Sequence, residues 1–261
     1  MVNLLDVIVS IDGPVGRLAI NRPTRLNAMS LETQHEIIAA ATWFDEQHEV
    51  KVVVVSGTGG TFSAGVDTSV LVDVAADPDA EGRDDADLGR RMAEAVERMN
   101  AITVAAIEGH CVGGGLILAA ACDLRIAVDS TYFSIPELDA GIPLAWGGIP
   151  RLVREMGPTL TKELVLTCRP FTAAEANMAG FINEVVDAGR LDAAVDHLVA
   201  NLAARPGHLL ASTKKAVNAA AEDLTSTADS ASDVDLLLAA LADPESRRAA
   251  VAYLERFSPE M

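Results

Sequence analysis

The stretches best placed to do chemistry in this sequence are two runs of glycine. Gly113-Gly114-Gly115 lies between the apolar run Val104–Ile107, closed by Glu108, Gly109 and His110, and the apolar Leu116–Ala121. That order predicts a buried strand, a tight turn and a helix. The first N–H groups of such a helix have no partner within it and carry partial positive charge. A second strand-like run, Val52–Val55, leads into Ser56–Asp67, SGTGGTFSAGVD. Two strand-to-glycine-turn units can present two backbone N–H groups to one oxygen, the arrangement of an oxyanion hole. Close packing of helix on strand would account for either run alone. A third short predicted strand, Tyr132–Ile135, is followed by the irregular stretch Pro136–Trp146, which places Glu137 directly after it.

Other glycine motifs fail on their flanking residues. Gly60 and Gly65 have phosphate-loop spacing, but Val66-Asp67 stands where Lys and Ser/Thr belong. Gly57-Thr58-Gly59 is not completed to GxGxxG, and there is no GxSxG elbow.

The elements that must carry these turns follow from periodicity and punctuation. Val7–Ile11 and Arg17–Ile20 flank Gly13-Pro14-Val15-Gly16 and predict an antiparallel hairpin. Asn21–Met29 reads as a loop, and Ser30 as the N-cap of a helix over Leu31–Gln47. Asp67 reads as the cap of a short helix reaching Val74. Asp73–Asp87 holds seven acidic residues against Arg83 alone and predicts a solvated, mobile loop, a candidate lid. Leu88–Asn100 has one apolar helical face. Leu124–Val128 and Phe181–Val186 read as strands, Gly147–Met156 and Thr159–Thr167 as successive helices, and Thr172–Glu175 as a capping box. From Leu191 the chain reads as helix only: Leu191–Ala204, His208–Ala221, Val234–Ala242 and Glu245–Phe257. The expected division is a core over 1–190 and a helical region over 191–261.

At 261 residues there is ample apolar content for a core, and the formal charge of −18 argues against nucleic acid and anionic membrane surfaces. An anionic ligand would therefore need local positive features. Cys111, Cys122 and Cys168 are odd in number and lie in apolar surroundings, which suggests reduced thiols. No CxxC or HxxxH pair supports a metal site. MVNLLDVIVSIDG lacks a basic n-region, and Cys111–Cys122 is too short to span a bilayer, so a cytoplasmic protein is expected.

In combination these features resemble the crotonase (enoyl-CoA hydratase/isomerase) superfamily. The matching pieces are Asn21-Arg22-Pro23 with Leu26-Asn27-Ala28, Phe62–Asp67, Ala105–Gly109 with Gly113–Gly115 and Cys122-Asp123, Phe133–Glu137 with Gly141, and Gly147-Gly148 with Arg151-Leu152. They occur in family order, across roughly residues 5–255. The resemblance implies an α/β fold, a spiral of ββα units with a C-terminal helical trimerisation region, and a homotrimer or dimer of trimers. It implies an acyl-CoA thioester as substrate, with no cofactor beyond the coenzyme A that the substrate carries. By position, the backbone N–H groups of Val66 and Gly114 would be the oxyanion-hole donors, and Ala64 and Val66 would lie against the adenine of coenzyme A. The family often has a lysine at the place of Thr24 that reaches coenzyme A phosphate; Arg25, next to it, is the candidate substitute. Of the two glutamates of the hydratases, the first maps to Ile117 and the second to Glu137. Ala145 stands where dienoyl-CoA isomerases carry a further acid, and Trp146 is a further substrate-binding candidate. One retained glutamate beside an apolar Ile117 favours isomerase-like proton transfer over hydration, with a non-catalytic acyl-CoA-binding protein as a third reading.

Overall fold

The computed structural model describes residues 4–70 and 80–257. Strands β1 (Val7–Asp12) and β2 (Val15–Ile20) form the expected hairpin, with Val7 opposite Ile20 and Asp12 opposite Val15. Beyond it, β3 (Val52–Gly57), β4 (Ile102–Ile107), β6 (Leu124–Val128) and β8 (Glu184–Val186) add in parallel, giving the order β1-β2-β3-β4-β6-β8. Two further strands, β5 (His110–Val112) and β7 (Tyr132–Ser134), pair in parallel as a second, smaller sheet. Two successive turns of the chain, through β4-β5 and β6-β7, thus give one strand to each sheet and then a helix, in keeping with the ββα spiral expected from sequence. The fold is α/β with a helical C-terminal region.

The valine runs form strands that are covered on both faces, as parallel sheets require. Alternate residues point to opposite sides. Val53, Val55, Ala105 and Ile107 face the main core with α1 (Leu31–Glu46). Val52, Val54, Val104 and Ile126 face α6 (Leu191–Ala203) through Leu191, Val195 and Val199. Helix ends follow their caps. Ser30 accepts the Thr33 N–H at 3.2 Å, and Thr172 and Glu175 form the full capping box of α5 (Ala173–Met178). The two helices expected between Gly147 and Thr167 are α4 (Gly148–Thr167), broken at Gly157, which has φ 75° and ψ 162°. Lys214 of α7 (Gly207–Leu224) ties the C-terminal region to the sheet, lying 2.8 Å from Asp123 and donating to the Ala101 carbonyl at 3.1 Å.

Several boundaries differ from the sequence reading. Helix α2 spans Ala80–Glu97, so residues 80–87 are helical and not the mobile acidic loop expected over Asp73–Asp87. Residues 73–79 of that stretch lie outside the described residues, as does the end of the short helix expected to reach Val74. The excess of acid is compatible with a helix because Arg90 forks between Asp87 and Glu94, each at 2.5 Å, while Ala86 is buried one residue earlier. His110 begins β5 instead of merely ending β4. The Asn21–Met29 loop contains a 3-10 turn at Pro23–Arg25, and the last strand is confined to Glu184–Val186. Among the described residues no helix is long and apolar enough to cross a membrane.

Candidate active site

The two glycine turns meet. Gly113 precedes α3 (Gly114–Ala120) with φ 50° and ψ −119°, and its carbonyl accepts the Leu116 and Ile117 N–H groups at 2.9 and 3.1 Å. Its own N–H donates to the Ser134 carbonyl of β7 at 3.0 Å, which sets the turn against the strand that precedes Glu137. A Cβ on Gly113 would lie 2.5 Å from Glu137 Oε1, so only glycine lets the carboxyl rest on this turn. Gly65, at φ 97°, backs onto the same place from the other unit: a Cβ there would stand 3.3 Å from the Gly114 nitrogen. A bridge between Ser63 and Cys111 and another between Met29 and Val66 hold that second segment. The N–H groups of Val66 and Gly114 have no hydrogen-bond acceptor among the described residues. They are two backbone donors on adjoining turns.

Glu137 faces them. Its residue is 9% exposed, and Oε2 has no hydrogen-bond partner. Burial pushes its carboxyl up to about 7, against a smaller opposing contribution from its own backbone N–H. An acid poised there can take and return a proton near neutral pH. On α3, Ile117 is 1% exposed, and a Cβ on Gly148 would come within 2.6 Å of its Cδ1. Ile117 is therefore closely packed and offers no group that can transfer a proton. Val66, Gly114, Ile117 and Glu137 line one cleft that is partly open to solvent.

Of the residues singled out from sequence, Val66, Gly114, Ile117, Glu137 and Trp146 all line that cleft, as does the apolar Ala145. Ala64 and Arg25 do not. The Ala64 N–H donates to the Leu26 carbonyl at 2.9 Å, and Arg25 is exposed on the adjoining 3-10 turn, so the two lie close together outside the cleft. Asp139 is exposed, with Arg256 4.0 Å away. Trp146 adopts φ 62°, and its carbonyl accepts from Arg151, which also holds Glu97 at 2.6 Å; the next N–H, of Gly147, donates to Asp233 at 2.9 Å. The loop of Glu137 is braced from outside by α9 (Pro244–Phe257), whose Ser246 carbonyl packs on Gly141.

Sequence reasoning missed Arg22, whose guanidinium holds Asp67 at 2.9 Å and Asp6 at 3.2 Å. It also missed the cleft residues Val70, Asp85 and Leu237. A helical glycine at 89 was the available signal, because Trp146 packs where its Cβ would be.

A family model described as enoyl-CoA hydratase/isomerase matches residues 10–261. A crotonyl-CoA hydratase of Syntrophomonas wolfei is 31% identical over 254 residues, covering 96% of this chain and 95% of that protein. A peroxisomal Delta(3,5)-Delta(2,4)-dienoyl-CoA isomerase of Arabidopsis thaliana is 34% identical over 183 residues, 67% of this chain and 66% of that one. The crystal structure of an enoyl-CoA hydratase from Mycobacterium avium subsp. paratuberculosis superposes with a TM-score of 0.86 at 26% identity, covering 96% of this chain and all of that one. Matched over nearly its whole length in sequence and in fold, the chain belongs to the enoyl-CoA hydratase/isomerase family.

Proposed function

We propose that this protein acts on an acyl-CoA thioester by single-glutamate proton transfer, as a Δ3,Δ2-enoyl-CoA isomerase-like enzyme of fatty-acid metabolism. The observation that carries the reading is the pairing of one buried, unpartnered carboxyl, Glu137, with the apolar Ile117 across the same cleft. The Val66 and Gly114 N–H groups donate to the thioester oxygen and stabilise the charge that develops there. Glu137 removes a proton from C2, the double bond shifts, and the same acid returns the proton at C4. Holding water between two carboxyls, as hydration requires, has no second carboxyl at Ile117 to use. Outside the cleft, Ala64 and Arg25 are assigned to the coenzyme A moiety, and the helical C-terminal region to a homotrimer or dimer of trimers. No cofactor is needed beyond the coenzyme A of the substrate.

Hydration is the second reading, favoured by the names of relatives such as the crotonyl-CoA hydratase. The test is a side-by-side assay of 2-enoyl-CoA and 3-enoyl-CoA on the parent and on Ile117→Glu. The parent is expected to favour the 3-enoyl substrate. Ile117→Glu should raise the ratio of hydration to isomerisation, at a stability cost of about 1–3 kcal/mol for a carboxyl placed among apolar neighbours. A parent that hydrates 2-enoyl-CoA well, with no gain in the variant, would overturn the assignment. No turnover of either substrate, with acyl-CoA still bound, would mark a binding protein.

A further inference from the structure

Asp85 is a carboxylate in the cleft that the proton-transfer reading leaves without a task. It sits in the second turn of α2, half-buried, and lines the same cleft as Glu137. The arginines around it are committed elsewhere. Arg83 reaches across to Asp235 of α8 (Asp233–Ala242) at 2.5 Å, Arg90 is forked between Asp87 and Glu94, and Arg91 takes the Asp84 carbonyl at 2.8 Å. No hydrogen bond or ion pair engages the Asp85 carboxylate among the described residues.

Its position separates it from the reacting end. Trp146 packs against both Gly114 and Gly89, so its indole stands between the oxyanion turn and α2. Asp85 lies four residues before Gly89, hence on the same helical face and one turn further along. Its neighbour Ala86 belongs with Val70, Val234 and Leu237 to a separate apolar cluster, and Val70, Ala86 and Leu237 close that side of the cleft. Glu137, with Oε2 unpartnered and nine-tenths buried, marks the other side, beside Gly113.

We propose that Asp85 is a specificity-determining residue, which selects acyl groups carrying a hydroxyl beyond the reacting carbons and disfavours plain hydrocarbon and carboxylate-ended chains. The inference rests on the acyl-CoA reading of the cleft. A hydrocarbon tail laid between Leu237 and Val70 strips water from Asp85 and gives nothing back, which leaves a carboxylate without a partner. A hydroxyl in that place donates to it. A terminal carboxylate brings like charge against it.

The test is calorimetric binding of two matched series of thioesters to the full-length parent, Asp85→Leu and Asp85→Asn. One series is butanoyl-, 4-hydroxybutanoyl- and succinyl-CoA; the other is hexanoyl-, 6-hydroxyhexanoyl- and adipoyl-CoA. In at least one series the parent should bind the hydroxyacyl form about 10- to 100-fold tighter than the plain form, and the carboxylate form most weakly. Asp85→Leu should invert the first preference, and Asp85→Asn should relieve the discrimination against the carboxylate while retaining part of the preference for hydroxyl. Unchanged affinity ratios within both series in folded Asp85→Asn would overturn the proposal while leaving the acyl-CoA reading standing. Absence of binding by the parent to all six thioesters would remove that reading, and this one with it.

Discussion

Asp67 and Glu137 are carboxyl groups set beside the same pair of turns, one residue beyond Val66 and across from Gly113, yet the fold treats them in opposite ways. Burial alone would raise Asp67, but the Ser69 N–H and hydroxyl and the Arg22 guanidinium outweigh it and hold its carboxyl below the ordinary value. Both of its oxygens are engaged, Oδ1 with Ser69 and Oδ2 with Arg22. Glu137 has burial without such donors, and its carboxyl rises to about 7. One group is wired into the scaffold and fixed as an anion. The other is left free to change its charge. Hydrogen bonding that would make Glu137 a better structural residue would make it a worse base, so the unpartnered Oε2 supports the proposed proton transfer.

The comparison breaks most visibly if both carboxyls are made amides. Glu137→Gln should lower kcat by about 10²–10⁴, with acyl-CoA affinity nearly unchanged because the thioester is held by backbone groups. The parent's kcat should rise with pH through about 7 as the base ionises. Stability should run the other way. The folded-state value lies above the ordinary 4.5, so the neutral acid's contribution is complete below about pH 4.5 and is lost as pH rises through about 7. Glu137→Gln should therefore be more stable than the parent at pH 8, by about 2–3 kcal/mol, with the difference closing below pH 5. Near-normal turnover, or a variant less stable at pH 8, would remove Glu137 from its assigned role.

The donors opposite Glu137 can be separated from their packing. Gly114 opens α3, a position where proline is tolerated, and Gly114→Pro deletes its N–H. Any Cβ there also meets the Trp146 ring, so Gly114→Ala is the control that disturbs the ring and keeps the donor. Proline should cost about 10²–10³ in rate beyond alanine. Equal rates for the two folded variants would place the oxygen elsewhere.

Much of this site was legible in the sequence, and what was not has identifiable causes. Strand–glycine–helix punctuation located the two turns, and the family resemblance singled out Gly114, Val66 and Glu137 within and beside them. Ile117 was legible as a substitution only through the resemblance, which maps the first glutamate of the hydratases to that position. Asp85 was not, since its stretch reads as solvated acid until the Asp87–Arg90–Glu94 fork turns the other face inward. Leu237 lies about ninety residues or more from every other cleft residue, and no periodicity reports a contact of that separation. Arg22 belonged to a recognised motif, but its partners Asp6 and Asp67 lie in other segments, so its bracing role emerges only from the folded chain.

The smallest expected effect falls on the scaffold carboxyl. In Asp67→Asn the amide oxygen can still accept from Ser69, but the ion pair with Arg22 is lost. Arg22 keeps Asp6 and the Ala28 carbonyl, so its charge is not stranded. A loss of about 1–3 kcal/mol at pH 7 is expected, the scale for a charged hydrogen bond with partly buried partners. Asp67 is held below its ordinary value, so its contribution is present above about pH 4 and fades as pH falls through the lowered value. Parent and variant should therefore converge in thermal stability in acid, as at Glu137, but with the sign of the difference at higher pH reversed. Turnover should fall less than tenfold, because Met29 still brackets Val66 from both sides, donating its N–H to Gly65 and accepting that of Asp67. A rate loss as deep as that of Glu137→Gln would mean that Asp67 acts in the chemistry, and the division of labour between the two carboxyls would have to be abandoned.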